Sequence, residues 1–158
     1  ISQIYEGTNG VQSQDLIGRK TIKCGGVFIA EYIAEIRDFA NALDTDLNFI
    51  KDATLDAATE IEAITQFIIE QAAENVDFPN AAAVDYLHAV GLLSFAYMFA
   101  KIAAAAKDKS GDFYQNKLAL AQYFVDRILP ELDSRLAKIK AGSDLIMNFS
   151  EDYFTNQA

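Results

Sequence analysis

The sequence predicts an all-α protein: an antiparallel four-helix bundle with a leading helix at its N-terminal end. Three observations carry this prediction. Apolar residues recur at helical spacing through four long stretches. Short runs rich in Asp, Asn, Gly and Pro separate those stretches, which favours antiparallel neighbours. No segment alternates apolar and polar residues as a half-buried strand does, and neither an internal repeat nor a low-complexity segment is evident.

The leading helix is predicted from Val11 to about Lys23, carrying Val11, Leu16, Ile17 and Ile22. Asn9 or Thr8 serves as its N-cap, with Gln12 at capping-box spacing from Asn9. Gly18 weakens it by about 1 kcal/mol relative to alanine in an exposed helix interior. Gly25-Gly26 then marks either a break or a bend between two nearly continuous helices. The second helix, about Val27 to Leu43, shows one apolar stripe of Ile29, Ile33, Ile36, Ala40 and Leu43. A third runs from about Leu47 to Asn75, either continuous or broken near Thr54, with Ile61, Ile64, Phe67 and Ile68 in register.

Asp77-Phe78-Pro79-Asn80 is the strongest turn signal, and Asn80 is the expected cap of a fourth helix, about Ala81 to Lys107. That helix is apolar around most of its circumference, with Val84, Leu87, Gly91, Phe95, Met98 and Ile102 on one side and Val90, Leu92, Leu93 and Tyr97 elsewhere. It should be the most buried. After the polar loop Asp108–Asp112, the last long helix covers about Phe113 to Lys140, with a kink expected at Pro130. Ala141-Gly142 ends it, Ser143 is placed as the cap of a final short helix, and the tail beyond Phe149 is expected to be loosely held.

At 158 residues, 51% of them apolar and 23% charged, the chain suits one ordinary globular domain. Its formal net charge of −10 argues against nucleic acid or anionic membranes as partners, because phosphate binding needs clustered Lys and Arg. The single cysteine, Cys24, cannot form an internal disulfide, which agrees with a reducing, cytoplasmic setting. The longest apolar run, Ala89–Ala100, falls short of the about 20 residues a membrane span requires. The sequence opens on Ile1 with no signal-like segment, which fits a piece of a longer polypeptide or the removal of a tag.

Most routes to chemistry close quickly. His88, in a lone Asp85-x-x-His88, is the only histidine, so neither a di-iron set nor a zinc set can be assembled, and no metal site is expected. Cys24 has no histidine partner nearby in sequence, and the serines lie in no nucleophile-elbow context. Gly25-Gly26 lacks the spacing of a dinucleotide-binding turn.

Ile4-Tyr5-Glu6-Gly7-Thr8-Asn9-Gly10 is the exception. Ile4 and Tyr5 can desolvate Glu6 and raise its pKa toward the range of a general base. Gly7 permits close approach to the backbone, and the helix start that follows offers amides to an anion. A glutamate in a loop is ordinarily just solvated, so these residues alone suggest no more than a candidate.

Gln3 to Gln12, continuing through Asp15-Leu16-Ile17-Gly18-Arg19-Lys20, resembles the C-terminal signature of acyl-CoA dehydrogenases. The resemblance is best to the long members with an extra C-terminal helical domain, of the 3-methylmercaptopropionyl-CoA dehydrogenase type. Asp85-Tyr86-Leu87 and Tyr123–Pro130 look like that extension. The resemblance implies FAD-dependent α,β-dehydrogenation of an acyl-CoA thioester. Glu6 would be the base that removes the α-proton, Gly7 would lie against substrate, and Thr8 and Asn9 would contact FAD. Gly10 stands where shorter members often carry Gln or Glu, so a side-chain contact from that position is missing.

On this resemblance residues 1–25 are the end of a catalytic domain and residues 26–158 a helical extension. Acyl-CoA, an electron-transfer acceptor and further copies of the chain are then the expected partners of the full-length enzyme. The chain by itself is expected to be inactive and to hold no FAD. The alternative is a stand-alone helical module for protein interaction or oligomerisation, with its function on an exposed apolar helix face.

Overall fold

The computed structural model describes residues 8–150 and 152–155, and among these residues all regular structure is helical. The first helix, α1 (Asn9–Gln14), begins earlier than its apolar pattern suggests because Thr8 caps it, with Oγ1 accepting from the Val11 amide at 3.4 Å. From Asp15 to Ile22 the chain widens into π-helical turns, in which the amide of Lys23 reaches back five residues to Gly18 O at 3.0 Å. The sequence predicts an ordinary α-helix there. The difference follows from Ser13, Ile17 and Thr21, all fully buried at four-residue spacing. Four residues overshoot an α-helical turn by about 40°, and the wider turn cancels that drift, keeping the three on one face.

Gly25 and Gly26 adopt left-handed φ values of 61° and 80°, so the glycine pair is a true break. Helix α2 (Val27–Asn41) buries the predicted stripe of Ile29, Ile33, Ile36 and Ala40. A short 3-10 turn, Thr45–Leu47, leads into α3 (Asn48–Glu74), which is unbroken. Thr54 does not interrupt it, because its buried hydroxyl donates to Ile50 O at 2.6 Å inside the helix.

Helix α4 (Phe78–Ala106) starts three residues before the predicted position. Pro79 falls in its first turn, where a missing N–H costs nothing. The turn-forming work falls to Asn75, whose Oδ1 accepts from the Asp77 amide and whose amide nitrogen donates to Ser143 Oγ, both at 2.9 Å. Ser143 is the N-cap residue of the final short helix, as the sequence suggests, its carbonyl accepting from the Ile146 and Met147 amides, but its buried hydroxyl serves as a tie to the α3–α4 turn instead of capping a helix amide.

Helix α5 (Asp112–Tyr123) and helix α6 (Glu131–Lys140) replace the single kinked helix of the prediction. Between them Phe124–Ile128 forms a second π-helical stretch, in which Leu129 N bonds Phe124 O at 2.9 Å. Pro130 explains it: the ring lacks a donor and collides with the carbonyl four residues back, so the ladder shifts register just ahead of it. The short helices α7 (Asp144–Met147) and α8 (Asp152–Thr155) follow.

Contacts fix the run of the long helices. Helix α3 lies antiparallel to α4, since Ile50 shares a core cluster with Ala100 and Ala103 while Phe67 stacks edge-on against Phe78. Helix α2 runs parallel to α4, through Tyr32–Ser94, Glu35–Tyr97 and, just beyond, Asp44–Lys107. The α5–α6 arm returns antiparallel to α4, from Phe124 stacked on Phe99 to Arg135 paired with Asp85.

Helix α4 is thus the central element, with Tyr86, Ala89, Leu93, Ala96 and Ala100 fully buried. It is long and apolar enough to cross a membrane, its 18-residue window averaging a hydropathy of 1.7, but length and hydropathy also describe a core helix. Among the described helices it carries the most buried residues, as the sequence predicts, yet not all of its apolar faces are covered. Val84, Phe95 and Met98 are exposed, because the covering helices pack on the alanine-rich faces, where backbones approach closely.

Candidate functional site

The sequence places the candidate site at the start of the chain, on Glu6, Gly7, Thr8 and Asn9. Glu6 and Gly7 lie outside the described residues. Thr8 and Asn9 form the exposed start of α1. Thr8 contributes its Oγ1 to the Val11 amide and its carbonyl to the Gln12 amide at 3.0 Å. Ser13 Oγ donates to Gly10 O at 2.9 Å, which tightens the first turn from within. First-turn amides of a helix point outward past its N-terminus, and there the exposed Thr8 hydroxyl hydrogen and Asn9 side-chain amide add donors suited to an acceptor-rich group.

The π-helical stretch that continues α1 is held by a buried polar relay. Thr21, at the end of the π-helical turns, donates to the Tyr86 hydroxyl at 3.4 Å. Tyr86 is wholly buried in α4 and bonds Thr65 of α3 at 2.9 Å. Thr65 uses its own proton on Ile61 O at 2.6 Å, so Tyr86 is the donor to Thr65. The relay therefore runs in one direction, Thr21 to Tyr86 to Thr65 to Ile61 O, and ties the π-helical stretch after α1 to α3 and α4. Burial pushes the Tyr86 phenol above its ordinary pKa of 10.0, only partly opposed by its hydrogen bonds with Thr21 and Thr65.

Charged groups near α1 are less consequential. Asp15 pairs with Arg19 at 2.7 Å and with Lys20 at 3.1 Å. The hydrogen bond from Lys20, then that from Arg19, keeps the Asp15 carboxyl below its ordinary value. Such exposed pairs contribute little to stability. Cys24 is half-buried with its thiol directed at Lys20 O, 3.0 Å away. Among the described residues no group of three or more His, Cys, Asp or Glu side chains gathers as a metal site would require.

His88 sits half-buried on α4, in the wall of an open groove of about 410 Å³. Asn9 lies at the margin of this groove, along with Gly91 and Phe95 of α4 and Arg135 of α6. The structure thus brings one of the predicted site residues next to the exposed face of α4.

Sequence reasoning missed the relay, although a signal for it was present. Thr65 interrupts the apolar register of Ile61, Ile64 and Ile68, and Thr21 follows Ile17 by four residues. A hydroxyl in a core register needs a buried partner, and Tyr86 is the residue able to supply one.

Residues 32–150 match the family described as acetyl-CoA dehydrogenase C-terminal like. The chain is 29% identical over 170 aligned residues to a broad-specificity linear acyl-CoA dehydrogenase of Mycobacterium tuberculosis, covering 98% of the chain and 28% of that protein. It is 28% identical to the 3-methylmercaptopropionyl-CoA dehydrogenase of Ruegeria pomeroyi, covering 95% of the chain and 27% of the relative. A butyryl-CoA dehydrogenase of Syntrophomonas wolfei is 26% identical, over 98% of the chain and 27% of its own length. The chain therefore spans a little over a quarter of these curated relatives. The match covers the whole of α3 to α6 and most of α2, so the helices packed around Tyr86 are those of the acetyl-CoA dehydrogenase C-terminal-like family, to which this chain belongs.

Proposed function

We propose that the chain is the C-terminal part of an FAD-dependent acyl-CoA dehydrogenase acting in the cytoplasm, and that Glu6 is the base of that full-length enzyme. The observation that carries the reading is the extent of the similarity. The alignment with the mycobacterial enzyme covers 98% of 158 residues, leaving about three unmatched, too few to leave Glu6 out. The Glu6 segment thus falls within the similarity to a protein named an acyl-CoA dehydrogenase.

In this reading Glu6 accepts the α-proton of the acyl thioester, and Gly7 leaves room for the substrate chain beside it. A carboxylate can take such a proton when the thioester carbonyl is polarised by hydrogen bonds. Thr8 and Asn9 would hold part of FAD, and their exposed donors at a helix start suit its acceptor-rich groups. Bound FAD would supply the acceptor for the β-hydride. The remaining pocket would come from the rest of the parent, so this chain alone is inactive.

Residues 1–25 end the catalytic domain and residues 26–158 are its extension, with α2, α3, α4 and the α5–α6 arm serving as an antiparallel four-helix bundle. An electron-transfer acceptor and further copies of the same subunit complete the partners.

The test uses the full-length parent and Glu6→Gln, which keeps the size of the side chain and removes its basicity. Flavin is expected to be retained while bleaching by acyl-CoA is lost. Normal bleaching in the variant would overturn the assignment of Glu6. A native polypeptide roughly three and a half times this length is expected from the 28% coverage, and one of only 158 residues would overturn the whole reading.

A further inference from the structure

The helices around α4 leave one apolar strip of it uncovered. Val84, Phe95 and Met98 are 42%, 59% and 42% exposed. Together with Gly91 they occupy positions 84, 91, 95 and 98, the spacing of a single helix face. Against that strip runs the open groove, its floor set by Leu87, Phe95 and Ile128 and its walls including His88, Glu131 and Arg135, with Asn9 at its margin.

Gly91 is a second, independent observation. A glycine in a helix interior costs about 1 kcal/mol relative to alanine. Its backbone is not among the left-handed glycines, and a Cβ built there meets nothing within 4 Å. Among the described residues nothing requires glycine at that position. A glycine that opens onto a groove fits the close approach of another backbone from outside.

We infer that this face of α4 seats the catalytic domain that precedes the chain in the parent polypeptide, with a backbone segment crossing Gly91 and apolar side chains meeting Phe95 and Met98. The inference rests on the proposed reading, which supplies that domain. The occupant follows from three facts. Asn9 lies at the groove, so the polypeptide enters the described structure beside it. The relatives carry nearly three quarters of their length beyond the matched part. Three exposed side chains form too small a patch for a stable dimer, which buries about 800 Å² per partner. Within one polypeptide the effective concentration reaches about millimolar, so a modest patch suffices. A second copy would also bring the same net charge of −10.

The test places the photo-crosslinker p-benzoylphenylalanine at position 95 of the full-length parent, followed by irradiation, denaturing size analysis and mass-spectrometric mapping. The expected product keeps the monomer mass and joins position 95 to a peptide upstream of residue 1. Gly91→Leu, whose Cβ meets nothing within 4 Å among the described residues, is expected to lower that yield roughly tenfold, equivalent to about 1.4 kcal/mol of contact, with unchanged helical circular dichroism. A product at dimer mass, crosslinks confined to residues 8–155, or no crosslink overturns the docking. Flavin bleaching by acyl-CoA on the same sample separates the two readings. Bleaching without the crosslink sinks the docking alone, and the crosslink without bleaching by any acyl-CoA sinks the dehydrogenase assignment alone.

Discussion

Tyr86→Phe should destabilise the 158-residue chain although it removes a single oxygen. That oxygen donates to Thr65 at 2.9 Å and accepts from Thr21 at 3.4 Å, with all three residues buried. Its loss leaves the Thr21 proton without its acceptor and Thr65 Oγ1 without a donor, while the Thr65 bond to Ile61 O survives. An orphaned buried donor costs about 1–3 kcal/mol. The 3.4 Å bond was weak from the start, so a loss of about 1–2 kcal/mol is expected, or roughly 2–8 °C in Tm for a chain of this size. Urea unfolding followed by far-ultraviolet circular dichroism measures it. Thr21→Val removes the orphan proton at nearly constant shape, so the double variant should be more stable than the two single losses added together. The relay would be refuted by a Tyr86→Phe loss under about 0.5 kcal/mol, the ordinary effect of a surface substitution. Strict additivity would refute the directional arrangement of the donors.

Three further outcomes follow from particular residues. Gly26→Ala should cost more than Gly25→Ala in the same unfolding assay: both have left-handed φ, a conformation costing a non-glycine residue about 1–2 kcal/mol, but only at Gly26 does the new Cβ come within 3.1 Å of Ile69. Gly91→Ala should stabilise the 158-residue chain by about 0.5–1 kcal/mol, and a loss in thermal unfolding would mean that glycine is required there for internal reasons. The Lys107 hydrogen bond holds the Asp44 carboxyl below its ordinary 3.8. A depressed carboxyl stabilises the fold above that value, and its contribution is lost as pH falls through the still lower folded value. Asp44→Asn should therefore flatten the decline in stability below about pH 4, and an unchanged acid limb would show that the pair does not couple to folding.

The helices were legible because each one's inward stripe is written at 3.6-residue spacing, as with Ile29, Ile33, Ile36 and Ala40 in α2. Register changes were not. Nothing local marks Asp15–Ile22 as wide-turned, since its demand arises from three buried residues that must share one face against α3 and α4. The second widening was half legible. Pro130 announces a disturbance, but whether the chain bends at the ring or re-registers before it depends on what Phe124 stacks against. Around the candidate site, the sequence marked Thr8 as a possible cap, and the structure gives it that role. The Thr21–Tyr86–Thr65 relay escaped notice because its members stand 65 and 21 residues apart, and only the packing of the π-helical stretch after α1 against α3 and α4 brings them together.

Helix α4 shows where periodicity stops being informative. When every face is apolar, spacing cannot say which faces are covered; where alanine concentrates is a better guide. The covered faces of α4 carry Ala82, Ala83, Ala89, Ala96, Ala100 and Ala103 among the larger Tyr86, Leu92, Leu93 and Tyr97, while the uncovered side carries Val84, Phe95 and Met98. Small residues let neighbouring backbones come close and gain dispersion contacts over a long line, so an alanine seam identifies the side a helix neighbour takes. By the same rule Gly91, in the middle of the bulky side, is a place on that side where a backbone could approach as closely. Alanine and glycine positions, more than the apolar positions around them, therefore tell the inside of α4 from its docking side.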